Sequence, residues 1–178
     1  MARNVEIKAK VPDLAAIRAK AAALALHPSE TVHQKDTFFE TPQGRLKVRE
    51  FPDGSGELIA YERADLEGPK VSTYERTACP DAQALVRTLT AVLHTRGTVV
   101  KRREVVLVGR TRVHLDEVEH LGTFVELEVV LTPGEPAEDG MREAHALLTA
   151  LAIPPDGLVS GAYIDLLEEA SGRREVPA

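Results

Sequence analysis

The sequence predicts an α+β protein built on an antiparallel sheet. Two observations carry this reading. At least seven short segments alternate apolar and polar residues with period two, and most are joined by short turns, the pattern of antiparallel pairing. Four other segments repeat apolar residues at helical spacing and supply the α component. A chain of 178 residues sets the prior at one domain and is long enough to bury a core without disulfides or a structural metal.

The elements follow in order. In Val5–Val11, residues Val5, Ile7, Ala9 and Val11 take one face, and Glu6, Lys8 and Lys10 take the other. A helix follows Pro12-Asp13 and runs to about Leu26, with Leu14, Ile17, Ala21, Leu24 and Ala25 as its stripe. Arg45–Arg49 sets Leu46 and Val48 against Arg45, Lys47 and Arg49. Strands are expected at Glu57–Arg63, Lys70–Arg76 and Val99–Val108, with a helix from Pro80-Asp81 to near His94 before the last of these. In Arg112–Val118, Arg112, His114 and Asp116 alternate with Val113 and Leu115; in Phe124–Val130, Glu126 and Glu128 alternate with Val125, Leu127 and Val129. Two further helices are expected at about Met141–Leu151 and Tyr163–Glu169. Residues 171–178 lack periodicity and read as a disordered tail to a domain spanning 1–170.

Composition narrows the function. The formal charge of −6 argues against a uniformly basic DNA-binding surface. Aromatics are 4% and tryptophan is absent, which argues against a stacking platform for single-stranded nucleic acid. The lone Cys79 excludes an internal disulfide and four-sulfur metal sites. No apolar run approaches the roughly 18 residues of a membrane span, and the charged start is no signal peptide. A reducing, cytoplasmic setting is expected, with no membrane or nucleic-acid partner.

The charged faces carry the functional signal. Lys8, Lys10, Arg45, Lys47, Arg49, Arg63, Lys70, Arg76, Lys101, Arg103 and Arg112 recur at alternate strand positions, half of the chain's 22 basic residues. Glu6, Asp116, Glu126 and Glu128 join the same alternation. One polar sheet face is ordinarily just solvated. If the sheet curls into a barrel, however, these groups point inward, and unpaired buried charge is strongly disfavoured. The interior then holds a polyanion, with carboxylates binding divalent cations or pairing with the bases. Arginine suits forked phosphate contacts, lysine supplies point charge, and three or four oxygen ligands suit magnesium or manganese. A linear triphosphate with its metal has the required size and charge.

Ordered pieces of the chain, from Val5-Glu6-Ile7-Lys8-Ala9-Lys10 through Gln34–Phe39, Gly44–Glu50, Lys70–Tyr74, Val100–Arg103, Thr111–Val118 and Leu121–Glu128 to Tyr163–Leu167, resemble the CYTH family of triphosphate tunnel enzymes. The His-Leu-Asp…Leu-Gly…Phe…Glu-x-Glu stretch looks most like its class IV adenylyl cyclase branch. The resemblance implies an antiparallel β-barrel of about eight strands with helices packed outside. It implies catalytic roles for Lys10, Arg112 and Asp116. It implies phosphate contacts from Lys8, Lys10, Lys47, Arg49, Arg63, Lys70, Lys101, Arg103 and Arg112, and Mg2+ or Mn2+ binding by Glu6, Asp116, Glu126 and Glu128. The implied reaction is conversion of ATP to cyclic AMP and pyrophosphate, or hydrolysis of a triphosphate such as inorganic tripolyphosphate or thiamine triphosphate, by a monomer or homodimer. One position departs from the pattern. Lys8 stands where the family's Glu-x-Glu-x-Lys motif has its second glutamate, which weakens a second cation site or replaces the cation outright. A non-catalytic triphosphate-binding module is therefore a third reading, and a barrel closed by internal salt bridges alone is a fourth.

Other candidates are weaker. His114 lies between Arg112 and Asp116, where a general base is conceivable and a structural role is the simpler account. Cys79 before Pro80 reads as a packing residue. Gly44 and Gly54-Ser55-Gly56 are turn residues, and no Walker or dinucleotide-binding glycine pattern is present.

Overall fold

The computed structural model describes residues 1–172. Residues 173–178, most of the expected tail, lie outside the described residues, and Ser171-Gly172 form a turn. Eight antiparallel strands close into a barrel: β1 (Ala2–Lys10), β2 (Glu30–Phe39), β3 (Arg45–Glu50), β4 (Gly56–Arg63), β5 (Lys70–Cys79), β6 (Thr95–Val108), β7 (Thr111–Val118) and β8 (Gly122–Val130). The strand order is β5-β4-β3-β2-β6-β7-β8-β1, and β5 pairs with β1 to complete the ring. A two-residue strand, β9 (Leu158–Val159), adds to β1. Four helices pack on this barrel: α1 (Leu14–Leu24), α2 (Ala82–Thr90), α3 (Ala137–Ala150) and α4 (Tyr163–Ala170). No helix among the described residues is long and apolar enough to cross a membrane.

The barrel is turned inside out relative to a simple soluble barrel. Side chains alternate across a strand, so a closed sheet sends one set in and the other out. Here the apolar set points out. Val5, Ile7 and Ala9 of β1, Val113 and Leu115 of β7, and Val125, Leu127 and Val129 of β8 are buried beneath Leu14, Ile17 and Ala21 of α1 and Ala144 and Leu147 of α3. A second cluster joins Phe39 of β2 and Val48 of β3 to Ala82 of α2. A third seats Tyr163 and Ile164 of α4 on Phe38, Val99, Val118 and Phe124, closing one end of the interior. The hydrophobic driving force thus acts between barrel wall and helices, and the charged set faces inward.

Local signals explain the boundaries. Asp13 caps α1, its carboxylate accepting from the Ala15 and Ala16 amides, and Asp81 caps α2 through the Ala84 amide. Helix α3 begins at Ala137, four residues before the expected start, because Glu138 and Asp139 supply an acidic first turn. Strand β2 carries no alternation signal, since polar residues occupy both of its faces apart from Val32 and the terminal phenylalanines.

Candidate functional site: a cation-lined tunnel

The inward faces enclose one cavity of about 350 Å3. Its wall includes eight cations, Lys8, Lys47, Arg49, Arg63, Arg76, Lys101, Arg103 and Arg112, and five carboxylates, Glu6, Asp36, Glu57, Glu126 and Glu128. The formal surplus of the wall is three positive charges, before counting Asp116, which lies behind the wall and pairs with Arg103. Exposure rises along the strands toward Val32, Arg76, Val105 and Arg112, which mark the open end, while Ala162 and Tyr163 line the end that α4 closes.

Strand register builds the site. Asp36 lies opposite Arg49 in the β2–β3 pairing. Its Oδ2 accepts from Lys47 at 2.9 Å, Arg49 at 2.8 Å and Lys101 at 3.0 Å, and its Oδ1 accepts from Arg49 Nε at 2.8 Å. Burial works to raise the Asp36 carboxyl, but Arg49, Lys101 and Lys47 outweigh it and hold the group well below its usual range. Burial and the neighbouring Arg49 push the Lys47 ammonium down to about 8.

Arg103 lies opposite Asp116 in the β6–β7 pairing and grips it with two bonds, at 2.7 and 2.6 Å. The Tyr163 hydroxyl donates to the same carboxylate at 2.6 Å. Arg112 Nε donates to Glu128 Oε2 at 2.6 Å, and Asn4 donates to the other oxygen of Glu128. Lys8, opposite Glu126 on β8, places its Nζ 3.5 Å from Glu126 Oε2 and 4.0 Å from the centre of the Tyr163 ring. Burial opposes ionisation of Glu126, yet Lys8 and Arg103 hold it well below the usual carboxylate range. Among the described residues Glu6 forms an ion pair with Arg63, at 3.5 Å; burial and the like charge of Glu126 raise its carboxyl. Arg63 keeps Nε and Nη2 buried without a hydrogen-bond partner among the described residues. These donors face the tunnel and are open to an anionic ligand, although Nη2 also lies 3.9 Å from Asp65 Oδ1. Burial and Arg103 push the His114 imidazole down to about 4, so it is neutral near pH 7; its Nδ1 also lacks a hydrogen bond.

Seven of the nine expected phosphate contacts therefore meet in one cavity, together with Glu6, Glu126 and Glu128. Three expected residues stand elsewhere. Lys10 is exposed where β1 ends, its Nζ 5.8 Å from the centre of the Phe124 ring. Lys70 is buried opposite Glu6, but its Nζ donates to the Leu66 carbonyl at 2.8 Å and is absent from the cavity wall. Asp116 sits behind Arg103, fully buried. Asp36, Asn4 and Tyr163 were not singled out. Gln34, Asp36 and Phe38 share one face of β2, a parity that the sequence does contain.

The carboxylates do not fit a divalent ion as placed. Mg2+ or Mn2+ takes several converging oxygens. Among the described residues no group of three acidic, histidine or cysteine side chains is set to share a metal. Glu6, Asp116, Glu126 and Glu128 are instead each held by a cation of the chain.

A closed antiparallel barrel with a charged tunnel defines the class. The CYTH domain model matches residues 2–163, and the chain belongs to that family. It is 24% identical over 177 residues to the adenylate cyclase CyaB of Aeromonas hydrophila, covering 94% of this chain and 90% of the relative. The PH1012 protein of Pyrococcus horikoshii superposes with a TM-score of 0.80 at 23% identity, over 92% of this chain and 98% of the other. A Hippeastrum adenylyl cyclase homologue described as having a dominant triphosphatase activity superposes with a TM-score of 0.62 at 19% identity, over 99% and 98%.

Proposed function

We propose that the tunnel takes the triphosphate of a nucleoside triphosphate and that the chain acts on it as an adenylyl cyclase. The observation that carries this is the three-charge cationic surplus, with the orphaned Arg63 donors, inside a closed barrel. The relationship to the Aeromonas cyclase along nearly the whole chain supports it. All three tyrosines and two of the four phenylalanines also line the tunnel, giving a base or ribose apolar surface to rest on.

In this reaction the ribose 3′-oxygen bonds to the α-phosphorus and the bond to the β-phosphate oxygen breaks. The hydroxyl proton ends on the pyrophosphate. Most of the work is positioning and charge neutralisation. Arg49 and Arg103 are already oriented by Asp36 and Asp116, so their guanidinium planes are fixed before the anion arrives. They stabilise charge as it moves onto the departing pyrophosphate. Arg112, at the open end, contacts the part of the ligand nearest solvent.

Hydrolysis is the second reading, favoured by the Hippeastrum protein of the same fold. Incubation with ATP and with inorganic tripolyphosphate, in magnesium, manganese and EDTA, followed by chromatography, tests both. Cyclic AMP with pyrophosphate is the expected result. Orthophosphate alone moves the protein to hydrolysis. Absence of product together with absence of triphosphate binding refutes the assignment.

A further inference from the structure

Resting on the reading of the cavity as a triphosphate tunnel, we propose that Lys8 does the work of a divalent cation, so that this chain binds a linear triphosphate without metal. The first support is position. Glu6 lies directly opposite Glu128 on the neighbouring strand, and Glu126 is two residues further along. Three carboxylates so placed repel one another unless cations compensate them. Arg63 holds Glu6 and Arg112 holds Glu128, and the third is held by Lys8, whose Nζ is 3.5 Å from Glu126, 3.4 Å from the Gly161 carbonyl, and over the Tyr163 ring. The side chain is 6% exposed.

The second support is charge. A triphosphate carries at least one negative charge per phosphate group, and the tunnel's surplus is three. A glutamate at position 8 would lower that surplus to one, and a divalent ion would then restore it to three. The lysine makes the same two-unit difference by itself. The third support is the missing cluster: no three acidic groups among the described residues converge on a common point. Burial lowers the Lys8 ammonium, and Glu126 opposes that fall. An arriving phosphate adds to the opposition.

Titration calorimetry of inorganic tripolyphosphate into the full chain decides the matter, run once in EDTA and once in excess Mn2+. The expected Kd agrees within about threefold between the two, with no protein-bound Mn2+ signal by electron paramagnetic resonance in the absence of tripolyphosphate. Lys8→Glu should lose about 100-fold in affinity in EDTA, recover most of it in Mn2+, and show a bound manganese spectrum. Lys8→Gln should weaken binding in EDTA without manganese rescue, since it adds no carboxylate. Wild-type binding that requires Mn2+ overturns the inference and leaves the tunnel assignment standing. Unchanged affinity of both variants in EDTA also overturns it. No wild-type binding in either buffer overturns both.

Discussion

Asp36 is the residue on which three of the tunnel's eight cations depend. It is 1% exposed and holds Lys47, Arg49 and Lys101 together. Removing one partner of a buried ionic group leaves the others uncompensated, at a cost of about 3–5 kcal/mol. Asp36→Ala should therefore lower the melting temperature by about 10 °C, and tripolyphosphate should restore more stability to it than to wild type. Equal ligand stabilisation in both would show that these three cations do not face the anion. The pH dependence has a definite sign. The Asp36 carboxyl is depressed on folding, so its stabilisation is full above its ordinary value of 3.8 and is lost as pH falls toward the lower folded value. Lys47 adds the same sign at higher pH, because burial there opposes the charged form. Its folded value is about 8 against an ordinary 10.5, so between those limits the unfolded chain binds more protons and stability rises with pH. Triphosphate affinity should decline above about pH 8 as Lys47 loses its charge, and a flat profile to pH 10 by calorimetry would contradict this. At the mouth, Arg112→Ala removes a charged donor and should weaken triphosphate binding about 10- to 100-fold with the fold intact.

At the scale of elements, the closest constraint is where β4 starts. A Cβ on Gly56 would stand 2.0 Å from the Arg49 carbonyl oxygen and 2.7 Å from the Ala82 Cβ. Gly56→Ala should cost about 3 kcal/mol or more, because backbone rather than a flexible side-chain tip must give way. It should also weaken triphosphate binding, since the displaced strand carries Lys47 and Arg49; a shifted melting curve with unchanged affinity would separate the two effects. The strands with an apolar stretch on one face were legible in the sequence: Val5, Ile7 and Ala9 of β1, Leu46 and Val48 of β3, Val113 and Leu115 of β7, and Val125, Leu127 and Val129 of β8 alternate with charged or polar residues. Strand β2 was not, because its inner face is Gln34, Asp36 and Phe38 and its outer face includes His33, Lys35 and Thr37. Period-two reading depends on contrast between faces, and β2 has little. The same blindness hid Asp36. An isolated acid in a polar run carries no mark of the three cations that distant strands bring to it. Lys10 stands outside the cavity lining for a different reason: its parity is inward, but the strand ends there, and sequence spacing does not say where a barrel's rim falls.

At the scale of the whole molecule, charge is sorted by location. The chain carries −6 overall while the tunnel wall carries +3, leaving −9 for everything else. A polyanion is repelled at long range and attracted only at the mouth. Added salt should therefore leave the association rate of a triphosphate nearly flat, or raise it, while speeding dissociation, as stopped-flow measurements across ionic strengths would show. A steep fall of the association rate with salt would indicate steering by a field that this distribution does not provide. The barrel itself follows from the alternation, but closure does not: only the pairing of β5 with β1 distinguishes a tunnel from an open curved sheet. Two of the apolar clusters lie between the barrel wall and the helices, apart from the tunnel lining, while the third, around Tyr163, shares Phe38, Val99, Ala162 and Tyr163 with it at the closed end. Stability and recognition are thus written largely in different alphabets on opposite sides of the same strands. Inward positions whose charge a neighbour can compensate can be re-lettered without disturbing the packing outside, whereas a shared anchor such as Asp36 cannot. Such a wall is suited to diverge in chemistry while its architecture stays the same.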